Sequence, residues 1–565
     1  MKIYEIGLKL ISWLKCNLLR FMVYNNFFNI PKLENLRPYY FQPGMRTFWK
    51  NYSNRKEAKV KVIIYGLRTY ERYDLSVFEK VLSDVLRYKN ANVKNLICDG
   101  LLTSCDGVTH PELHEFLCAT CKQECKYFLK LYPNDFLRLS DYLTKEDYID
   151  AEKTVKGLEA AALKGYEFLG VKVGNHGFTS ANKYFRNKVQ NYNDSRFLEA
   201  LRHNVFQGVL LVLVAKGILE KEKPTHFITL HGGYSAWGPI SDYLGAYGVF
   251  IYIHNKSINR VGCFYITKAG QDLSDIVAKE VWEEQKLLPL TENQRTNLRS
   301  HLNSVKQGST TEYKVYDSTK RSDPDTRLME LLRSNGRKKF ALYPHLFWDK
   351  AFLNSYDSLG SFFGNDIEWM LETIKFFIDK KDSLLFVKPH PGENMAADFT
   401  EYGAAELIRD RLGTLPDHIV IIDKKCRIKS FDLMDNDCIG VVFTSTSGLE
   451  HNFFKKPVLV AGKIHYAMAG AALRIRSREE YFSLLENPQP LYDFIENNYN
   501  TIERYAYYYY FTQQVKIPFY KDDVWLGHCI DWRPLSDYKR FITSDETMNS
   551  IAKAIIEGRH VMSID

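Results

Sequence analysis

The segment Lys388-Pro389-His390-Pro391 combines a cationic side chain with an imidazole that is flanked by two prolines. Proline fixes its own φ angle and restricts the residue before it, so the backbone on both sides of His390 is constrained. A preset imidazole beside a lysine can hold a diphosphate and offset the negative charge that develops on a leaving phosphate. The alternative is a histidine that only caps a turn beside a core strand. The segment therefore predicts a phosphate-binding role for Lys388 and His390.

A second segment further along the chain is rich in hydroxyl groups. Ser445, Thr446 and Ser447 precede Gly448, and Glu450 follows. Serine or threonine at the start of a helix, in front of backbone N–H groups that lack a partner, makes a site for anions. Ordinary helix capping needs one hydroxyl group, and this segment has three. In the first turn of the predicted helix, Glu450 could hydrogen-bond a ribose diol or only favour the helix dipole.

Each of these segments follows a short apolar run that is typical of a buried parallel strand. The carboxyl ends of such strands are where open α/β sheets bind ligands. Strands and helices alternate from Lys338 to Val460, and a similar alternation opens the chain between Lys59 and Ile97. This order predicts an α/β protein with two doubly wound, Rossmann-like domains.

The predicted organisation has five parts along the chain. They are a peripheral segment, a first Rossmann-like domain, a helical connector, a second Rossmann-like domain and C-terminal helices that pack back across the domains. Their expected bounds are residues 1–58, 59–271, 272–337, 338–495 and 496–565. The connector is placed where the composition shifts towards charged and polar residues with helical patterning.

The length and net charge of the chain exclude few classes of function by themselves. The chain has 565 residues and a formal net charge of +8, from 76 basic and 68 acidic side chains. This balance is compatible with an anionic ligand or an anionic membrane surface and demands neither. The chain lacks a P-loop pattern, a G-x-G-x-x-G motif after a strand, and a basic cluster interleaved with aromatic residues. These absences argue against a P-loop ATPase, a nicotinamide enzyme and a nucleic-acid partner.

The N-terminal region is the most apolar part of the chain. No uncharged apolar run reaches 18 residues, so we predict no transmembrane span. Ile6–Val23 is rich in apolar and aromatic residues but contains Lys9, Lys15 and Arg20. Such a segment could lie on a membrane surface or pack as a helix on the body of the protein. Without a convincing signal peptide, we expect a cytoplasmic protein, with peripheral attachment to the inner face of the cytoplasmic membrane left open.

Half of the ten cysteines lie close together in the sequence. They are Cys98, Cys105, Cys118, Cys121 and Cys125. The spacing of Cys118 and Cys121 is that of a zinc half-site, and the other thiols, with His110 and His114 among them, could complete a tetrahedron. Reduced structural thiols are the alternative in a cytoplasmic protein. The sequence leaves a structural zinc ion open.

These motifs, in their order, resemble those of bacterial capsule and surface polysaccharide biosynthesis glycosyltransferases, the group that includes the capsular Kdo transferases. The resemblance covers most of residues 59–520 and is most specific over 338–470. It rests on Lys388–Pro391, Ser445–Glu450, Lys456–Val458, Gly462–Tyr466, and Tyr343–His345 with Trp348 and Asp349. It implies a GT-B fold, in which two Rossmann-like domains face each other across a cleft that holds the active site.

The resemblance further implies a donor site in the second domain, where the His-Pro and Ser/Thr motifs bind the nucleotide and phosphate of a nucleotide-activated sugar. The expected donor-site residues are Lys388, His390, Ser445, Thr446, Ser447, Gly448, Glu450 and His465. No metal ion is expected to be needed for catalysis. The implied partners are a nucleotide-sugar donor, with a CMP-sugar as the first guess, and a saccharide or lipid-linked saccharide acceptor.

The expected reaction is attack of an acceptor hydroxyl on the anomeric carbon of the donor while the nucleotide phosphate leaves. If configuration inverts, a general base is needed on the side of the first domain. His231, at a strand end before Gly232 and Gly233, is the first candidate, with Asp106 and His110 behind it. The alternative for His231 is a turn residue near the domain interface.

Two other functions stay open. The polyol-phosphate transferases of teichoic acid synthesis also carry His-Pro and Ser motifs in such a domain and transfer glycerol phosphate from a CDP-linked donor. The segment Gly462–Tyr466 favours the sugar transferase. A non-catalytic glycan-binding or scaffold subunit of a polysaccharide assembly complex is the third reading, and His390 with the hydroxyl cluster argues against it.

Overall fold

A computed structural model describes most of residues 58–563. The gaps within this range are residues 68–72, 103, 106–117, 120, 123–124, 126–135, 187–193, 258, 270–276, 278, 310–321, 350–361, 395–399, 401 and 525–528. The predicted peripheral segment, residues 1–58, lies almost wholly outside the described residues. So do Asp106, His110 and His114.

The first domain is built on a sheet that has seven strands within the described residues. These strands are β1 Lys61–Leu67, β2 Asn92–Ile97, β3 Phe136–Arg138, β4 His226–Leu230, β5 Phe250–Lys256, β6 Cys263–Lys268 and β12 Gln514–Lys516. Their order across the sheet is β12-β6-β5-β4-β1-β2-β3. Strands β1 to β5 run parallel, whereas β6 and β12 are antiparallel to their neighbours. Helices cover both faces of a parallel sheet, which explains why β4 is buried along its whole length.

The helices of the first domain include one very long apolar helix. The helices are α1 Tyr73–Tyr88, α2 Lys145–Lys156, α3 Ala160–Leu163, α4 Val173–Phe185, α5 Ser195–Glu222 and α6 Gly238–Ala246. Among the described residues, α5 alone is long and apolar enough to cross a membrane. However, 67% of its apolar window is buried inside the protein, where it packs against α4 and α6. We therefore describe α5 as a core helix.

The second domain is built on a smaller, fully parallel sheet. Its described strands are β7 Lys338–Tyr343, β8 Ser383–Val387, β9 Ile419–Ile421, β10 Ile439–Val442 and β11 Val458–Val460. Their order is β11-β10-β7-β8-β9, and every pair is parallel. The chain builds the sheet outwards from β7 through β8 and β9, and then returns to add β10 on the other side of β7. The crevice between β7 and β10 is therefore the topological switch point, where such sheets bind ligands.

Helices before and within the second domain cover both faces of its sheet. They are α7 Lys279–Gln285, α8 Glu292–Gln307, α9 Thr326–Arg333, α10 Asp366–Ile378, α11 Ala404–Leu412, α12 Ser430–Asp435, α13 Ser447–Phe453, α14 His465–Met468, α15 Arg478–Glu486 and α16 Gln489–Tyr507. Trp282 of α7 and Leu298 of α8 share one buried cluster with Phe386 of β8. The helices of the predicted connector are thus packed on the second domain. The predicted domain bounds themselves stay predictions.

The last part of the chain returns to the first domain. Helix α16 ends in a π-helical turn, Tyr508–Thr512, and β12 then pairs with β6. Helices α17 Tyr538–Ser544 and α18 Glu546–Ile556 pack on α1. The Tyr538 hydroxyl donates to the buried Asp84 carboxylate over 2.5 Å, which ties α17 to α1. The first domain is therefore assembled from both ends of the described chain.

Loops at the carboxyl ends of the two sheets meet. The Tyr234 hydroxyl, after β4, donates to Asp349 Oδ1, after β7, over 3.4 Å. The Arg186 guanidinium at the end of α4 lies 5.9 Å from the ring centroid of Trp348. Because the carboxyl ends of parallel strands share one edge of a sheet, the two domains present their ligand-binding edges to each other. The predicted fold, two Rossmann-like domains facing across a cleft, is confirmed.

Candidate active site

A cavity of about 100 Å³ opens at the switch point of the second domain. Six of the predicted donor-site residues line it: Lys388, His390, Ser445, Thr446, Ser447 and Glu450. Residues that the sequence motifs did not indicate also line it, among them Val305, Ile428, Lys429 and Ser430. The loops after β7, β8, β9 and β10 thus meet at one point. We call this space the His390 cavity.

His390 enters the cavity as a neutral hydrogen-bond donor. The backbone N–H of Gly392 donates to His390 Nδ1 over 3.0 Å, so this network assigns the ring proton to Nε2. Burial lowers the pKa of His390 well below its usual range, and the neighbouring His345 and Lys388 lower that pKa further. The ring is therefore uncharged at neutral pH. In this tautomer Nε2–H is the donor of the ring.

Two lysines supply positive charge to the cavity. Lys388 is 9% exposed, and Lys429 donates from Nζ to the carbonyl of Gln307 over 3.0 Å. The motifs did not point to Lys429. A signal was nevertheless present, because the loop after β9 contains four basic residues within a short stretch. These are Lys424, Lys425, Arg427 and Lys429.

The hydroxyl segment contributes side chains rather than backbone amides. Ser447 N–H donates to Ser445 Oγ over 3.2 Å, and Gly448 N–H donates to the carbonyl of Ser445 over 3.2 Å. The next amide, of Leu449, bonds to Thr446. Helix α13 has only seven residues and begins at Ser447. The prediction of unpartnered N–H groups behind the hydroxyls is therefore wrong, since the segment closes its own turn and leaves the hydroxyls to face the cavity.

Gly448 does not line the cavity but lets the hydroxyl segment pack. A methyl group at this position would lie 2.1 Å from Tyr466 Oη, and that hydroxyl donates to the carbonyl of Ser445 over 2.8 Å. We expect Gly448→Ala to displace Tyr466 and to destabilise the protein by about 1–3 kcal/mol. The free energy of unfolding in urea measures this loss.

A matched control for this substitution is Gly165→Ala. Nothing lies within 4 Å of a methyl group at Gly165, so its replacement should leave the unfolding free energy unchanged within about 0.5 kcal/mol. Equal stability of the two variants would show that Tyr466 adjusts without cost.

His465 is not brought to the cavity. Its Nδ1 lies 2.7 Å from the hydroxyl of Tyr505, and its ring stacks on Tyr509 with centroids 4.8 Å apart. Burial lowers the pKa of His465 to about 3. The donor-binding role predicted for His465 therefore lacks a geometric basis. The aromatic side chains that enclose it come from the distant end of α16 and the turn after it.

Two carboxyl groups flank the His390 cavity. Glu450 accepts from the Tyr510 hydroxyl over 3.4 Å at the cavity wall. Glu393 is buried behind the His390 turn, where its Oε1 accepts from the N–H of Ala404 over 3.1 Å. Burial raises the pKa of Glu393 to about 7. The negative charge of Glu393 is thus only partly present at neutral pH.

His231 lies across the cleft, at the carboxyl end of β4. Its backbone has a φ of 35°, a left-handed conformation that side chains other than glycine rarely adopt and that clusters at functional sites. The amide Nδ2 of Asn255 donates to His231 Nδ1 over 2.9 Å. The ring packs beside Trp237, with centroids 5.8 Å apart. His231 is therefore held in one orientation in a strained turn.

A buried polar network fixes the loop that follows His231. Ser235 N–H donates to Ser180 Oγ over 2.9 Å, and Ser235 Oγ donates to Asn204 over 2.7 Å. The two ring nitrogens of His176 lie 3.1 Å from the carbonyl of Gly233 and 2.8 Å from Asp242. Helices α4, α5 and α6 thus hold the loop. No local motif indicated His176, because its partners are distant in sequence.

The cysteine cluster shows no metal centre within the described residues. No group of three His, Cys, Asp or Glu side chains in that part of the chain could hold a metal ion. Burial raises the pKa of the Cys98 thiol to about 12, and neighbouring Cys105 and Cys118 add to this. The predicted ligands His110 and His114 lie outside the described residues. The structural zinc ion stays a prediction.

Part of the chain matches the model of a known protein family. Residues 302–493 match the model of a family described as capsule polysaccharide biosynthesis protein. All residues that line the His390 cavity fall within this range. A search of curated proteins with the whole chain found no match.

Comparison with solved structures gives distant similarities. UDP-GlcNAc 2-epimerase from Neisseria meningitidis, bound to UDP-GlcNAc, is 11% identical with a TM-score of 0.24, covering 79% of this chain and 97% of its own. The Methanocaldococcus jannaschii UDP-GlcNAc 2-epimerase, in complex with UDP-GlcNAc and UDP, is 12% identical with a TM-score of 0.27, covering 79% and 98%. The glycosyltransferase SnogD from Streptomyces nogalater is 10% identical with a TM-score of 0.23, covering 79% and 97%. TM-scores this low carry no argument about function.

The family match and the site coincide. The matched range contains the second sheet, its switch point and the loops that form the His390 cavity. The resemblance predicted from the sequence is thus confirmed over residues 302–493, where the chain matches the capsule polysaccharide biosynthesis family.

Proposed function

We propose that this protein is a glycosyltransferase of capsule or surface polysaccharide synthesis, which moves a sugar from a nucleotide-activated donor to a saccharide acceptor. The observation that carries the proposal is the His390 cavity. It gathers two lysines, a neutral imidazole and three hydroxyl groups at the switch point of the domain that matches the family. These groups all suit the oxygens of a phosphate.

The size of the cavity supports a phosphate rather than a whole nucleotide. Its volume of about 100 Å³ is below the roughly 300–1,000 Å³ of pockets that enclose a drug-sized ligand. The donor phosphates would therefore lie in the cavity, and the nucleoside and sugar would extend into the cleft. Glu450, at the cavity wall, would accept hydrogen bonds from the ribose diol.

In the proposed reaction an acceptor hydroxyl attacks the anomeric carbon of the donor, and the bond from that carbon to the nucleotide phosphate breaks. The electron pair of that bond stays on the phosphate oxygen. Lys388 and Lys429 would stabilise this charge, and His390 would donate a hydrogen bond from Nε2. The reaction as proposed needs no metal ion.

His231 is the proposed general base on the acceptor side. With Asn255 donating to Nδ1, Nε2 would carry the proton and could not accept another. A reversed Asn255 amide would accept from Nδ1–H and leave Nε2 basic, since the two amide ends are close to isosteric. We propose that Asn255 takes this second orientation when the acceptor is bound. It would then act as a positioning residue.

The proposal also includes a donor, an acceptor and a cellular location. A CMP-sugar is the proposed donor, by resemblance to the capsular Kdo transferases. A lipid-linked saccharide would place the reaction at the inner face of the cytoplasmic membrane. The mildly basic chain, with a net charge of +8, is compatible with that surface.

A nucleotide screen tests the proposal. Thermal unfolding of the full chain would be followed with CMP, CDP, UDP and GDP. A nucleotide present at 100 times its Kd should stabilise the folded protein by about 2.7 kcal/mol, and the variant Lys388→Gln should lose most of this stabilisation. No stabilisation by any nucleotide would favour the non-catalytic scaffold. A product that contains the donor phosphate would favour the polyol-phosphate transferase.

A further inference from the structure

A second and larger cavity lies beside the His390 cavity. Its volume is about 550 Å³, and it opens at the carboxyl end of β11. The loop from Phe443 to Ser447 separates the two spaces, because Gly462 packs directly against it. A methyl group on Gly462 would lie 2.5 Å from the carbonyl oxygen of Phe443 and 2.8 Å from Thr444 Cγ2. We call this second space the Arg474 cavity.

Three cationic side chains line the Arg474 cavity: Lys463, Arg474 and Arg476. Lys463 is half-buried, and the two arginines are exposed on either side of the buried Ile475. Both arginines line the same cavity, so their guanidinium groups lie around one space. The cavity therefore has one strongly basic wall.

No carboxylate in the described part of the chain forms an ion pair with these three cations. Two acidic side chains bond to this region without pairing with any of the three cationic side chains. Glu480 accepts from the backbone N–H of Arg476 over 2.6 Å, and Glu372 pairs with Arg478. Three like charges around one space repel each other unless an anion lies between them. This arrangement thus favours an anionic ligand.

The opposite wall of the Arg474 cavity is apolar. Val460 and Ala461 form its buried part, and Phe362 lies at its mouth with 37% of its surface exposed. An apolar wall adds no binding energy for a bare phosphate. It does so for a sugar ring, because the C–H face of the ring can lie on an aromatic or aliphatic surface while its polar groups reach the charged side chains.

We propose that the Arg474 cavity binds a sugar unit that carries an anionic group, either a carboxylate or a phosphate. Arg474 and Arg476 would hold the anion through charge-assisted hydrogen bonds, and the wall formed by Phe362 and Val460 would hold the ring. This inference rests on the proposed function, since it would place an acidic unit of the growing saccharide next to the reacting phosphate. It adds a site and a ligand class to that function.

Titrations of the full chain with glucuronate, glucose 6-phosphate, glucose and inorganic phosphate, followed by ligand-observed NMR, test the inference. At least one anionic sugar should bind about tenfold or more tightly than glucose and than inorganic phosphate. Preference for glucuronate identifies a carboxylate, and preference for glucose 6-phosphate identifies a phosphate. Equal binding of glucose, or of inorganic phosphate, would overturn the inference.

Variants locate the binding. The double variant Arg474→Gln/Arg476→Gln should lose this preference, whereas Arg333→Gln/Arg411→Gln, which removes two exposed arginines elsewhere, should retain it. Unchanged binding by the first variant would also overturn the inference. Both variants should keep the thermal shift with nucleotides, because neither touches the His390 cavity. If an anionic sugar bound through these arginines but no nucleotide stabilised the protein, the result would contradict the proposed transferase function and support the Arg474 cavity as a binding site.

Discussion

Replacing His390 with asparagine should lower the rate of sugar transfer by about 10²–10³-fold while the unfolding temperature stays unchanged. The reason is the assigned tautomer. Asparagine Oδ1 can take the place of Nδ1 and accept from the N–H of Gly392, which preserves the turn. It cannot replace the Nε2–H that would donate to the leaving phosphate. Turnover of a nucleotide-sugar donor by the purified variant is the measurement.

Two further variants of His390 separate its roles. Glutamine can place an N–H group close to Nε2, so His390→Gln should retain more activity than His390→Asn. His390→Ala should abolish transfer and also lose about 1–3 kcal/mol of stability, because the N–H of Gly392 loses its partner. Wild-type turnover in His390→Asn would remove His390 from the donor site.

The second domain should lose stability steeply in acid. Burial lowers the pKa of His451 and of His465 to about 3, whereas an unfolded histidine has a pKa of about 6.5. Below pH 6.5 the unfolded state therefore binds two protons that the folded state does not bind. Each histidine lowers the free energy of unfolding by about 1.4 kcal/mol per pH unit. Between pH 6.5 and 4.5 the two together cost about 5 kcal/mol.

Single substitutions isolate this effect from other titrating groups. Glu393 acts in the opposite direction, because its pKa of about 7 makes the folded state the better proton acceptor between pH 7 and about 4.5. Urea unfolding gives the free energy of unfolding at each pH in this range. The slope of that free energy against pH should be about 1.4 kcal/mol per pH unit smaller for His465→Asn or His451→Gln than for the wild type. The amide of each variant can still meet Tyr505 or Tyr343. If a variant and the wild type had the same slope, the histidine would be protonated in the folded protein.

The sequence predicted the His390 cavity because its residues follow strands of one parallel sheet. Lys388 and His390 follow β8, and the hydroxyl segment follows β10. The carboxyl ends of parallel strands share an edge, so sequence position alone brings these residues near each other. The order of short motifs also carried the family resemblance.

The rest of the site depends on contacts that no short motif contains. His465 follows β11 in the same way as the other predicted residues, yet Tyr505 and Tyr509 enclose it. Lys429 reaches the cavity only because the loop after β9 turns towards Gln307 at the end of α8. Such contacts join residues far apart in sequence, and periodicity describes only neighbours along one element.

The backbone amides after Ser445 show a second reason why the sequence alone did not predict the whole site. Hydroxyl residues before a helix predict both an anion site and a closed turn. Only the hydrogen bonds of Ser447, Gly448 and Leu449 distinguish the two. Here the backbone amides bond within the turn, and the hydroxyl side chains line the cavity.

The return of the chain to the first domain has a consequence for synthesis on the ribosome. Strand β6 stays at the edge of its sheet until β12 emerges, and the entire second domain is translated in between. An unpaired edge strand is a template for pairing with other chains. The nascent protein therefore passes through a stage in which a finished second domain is tethered to an open sheet. Translation arrest before β12 should leave a product prone to aggregation, even though every residue of the His390 cavity is already made.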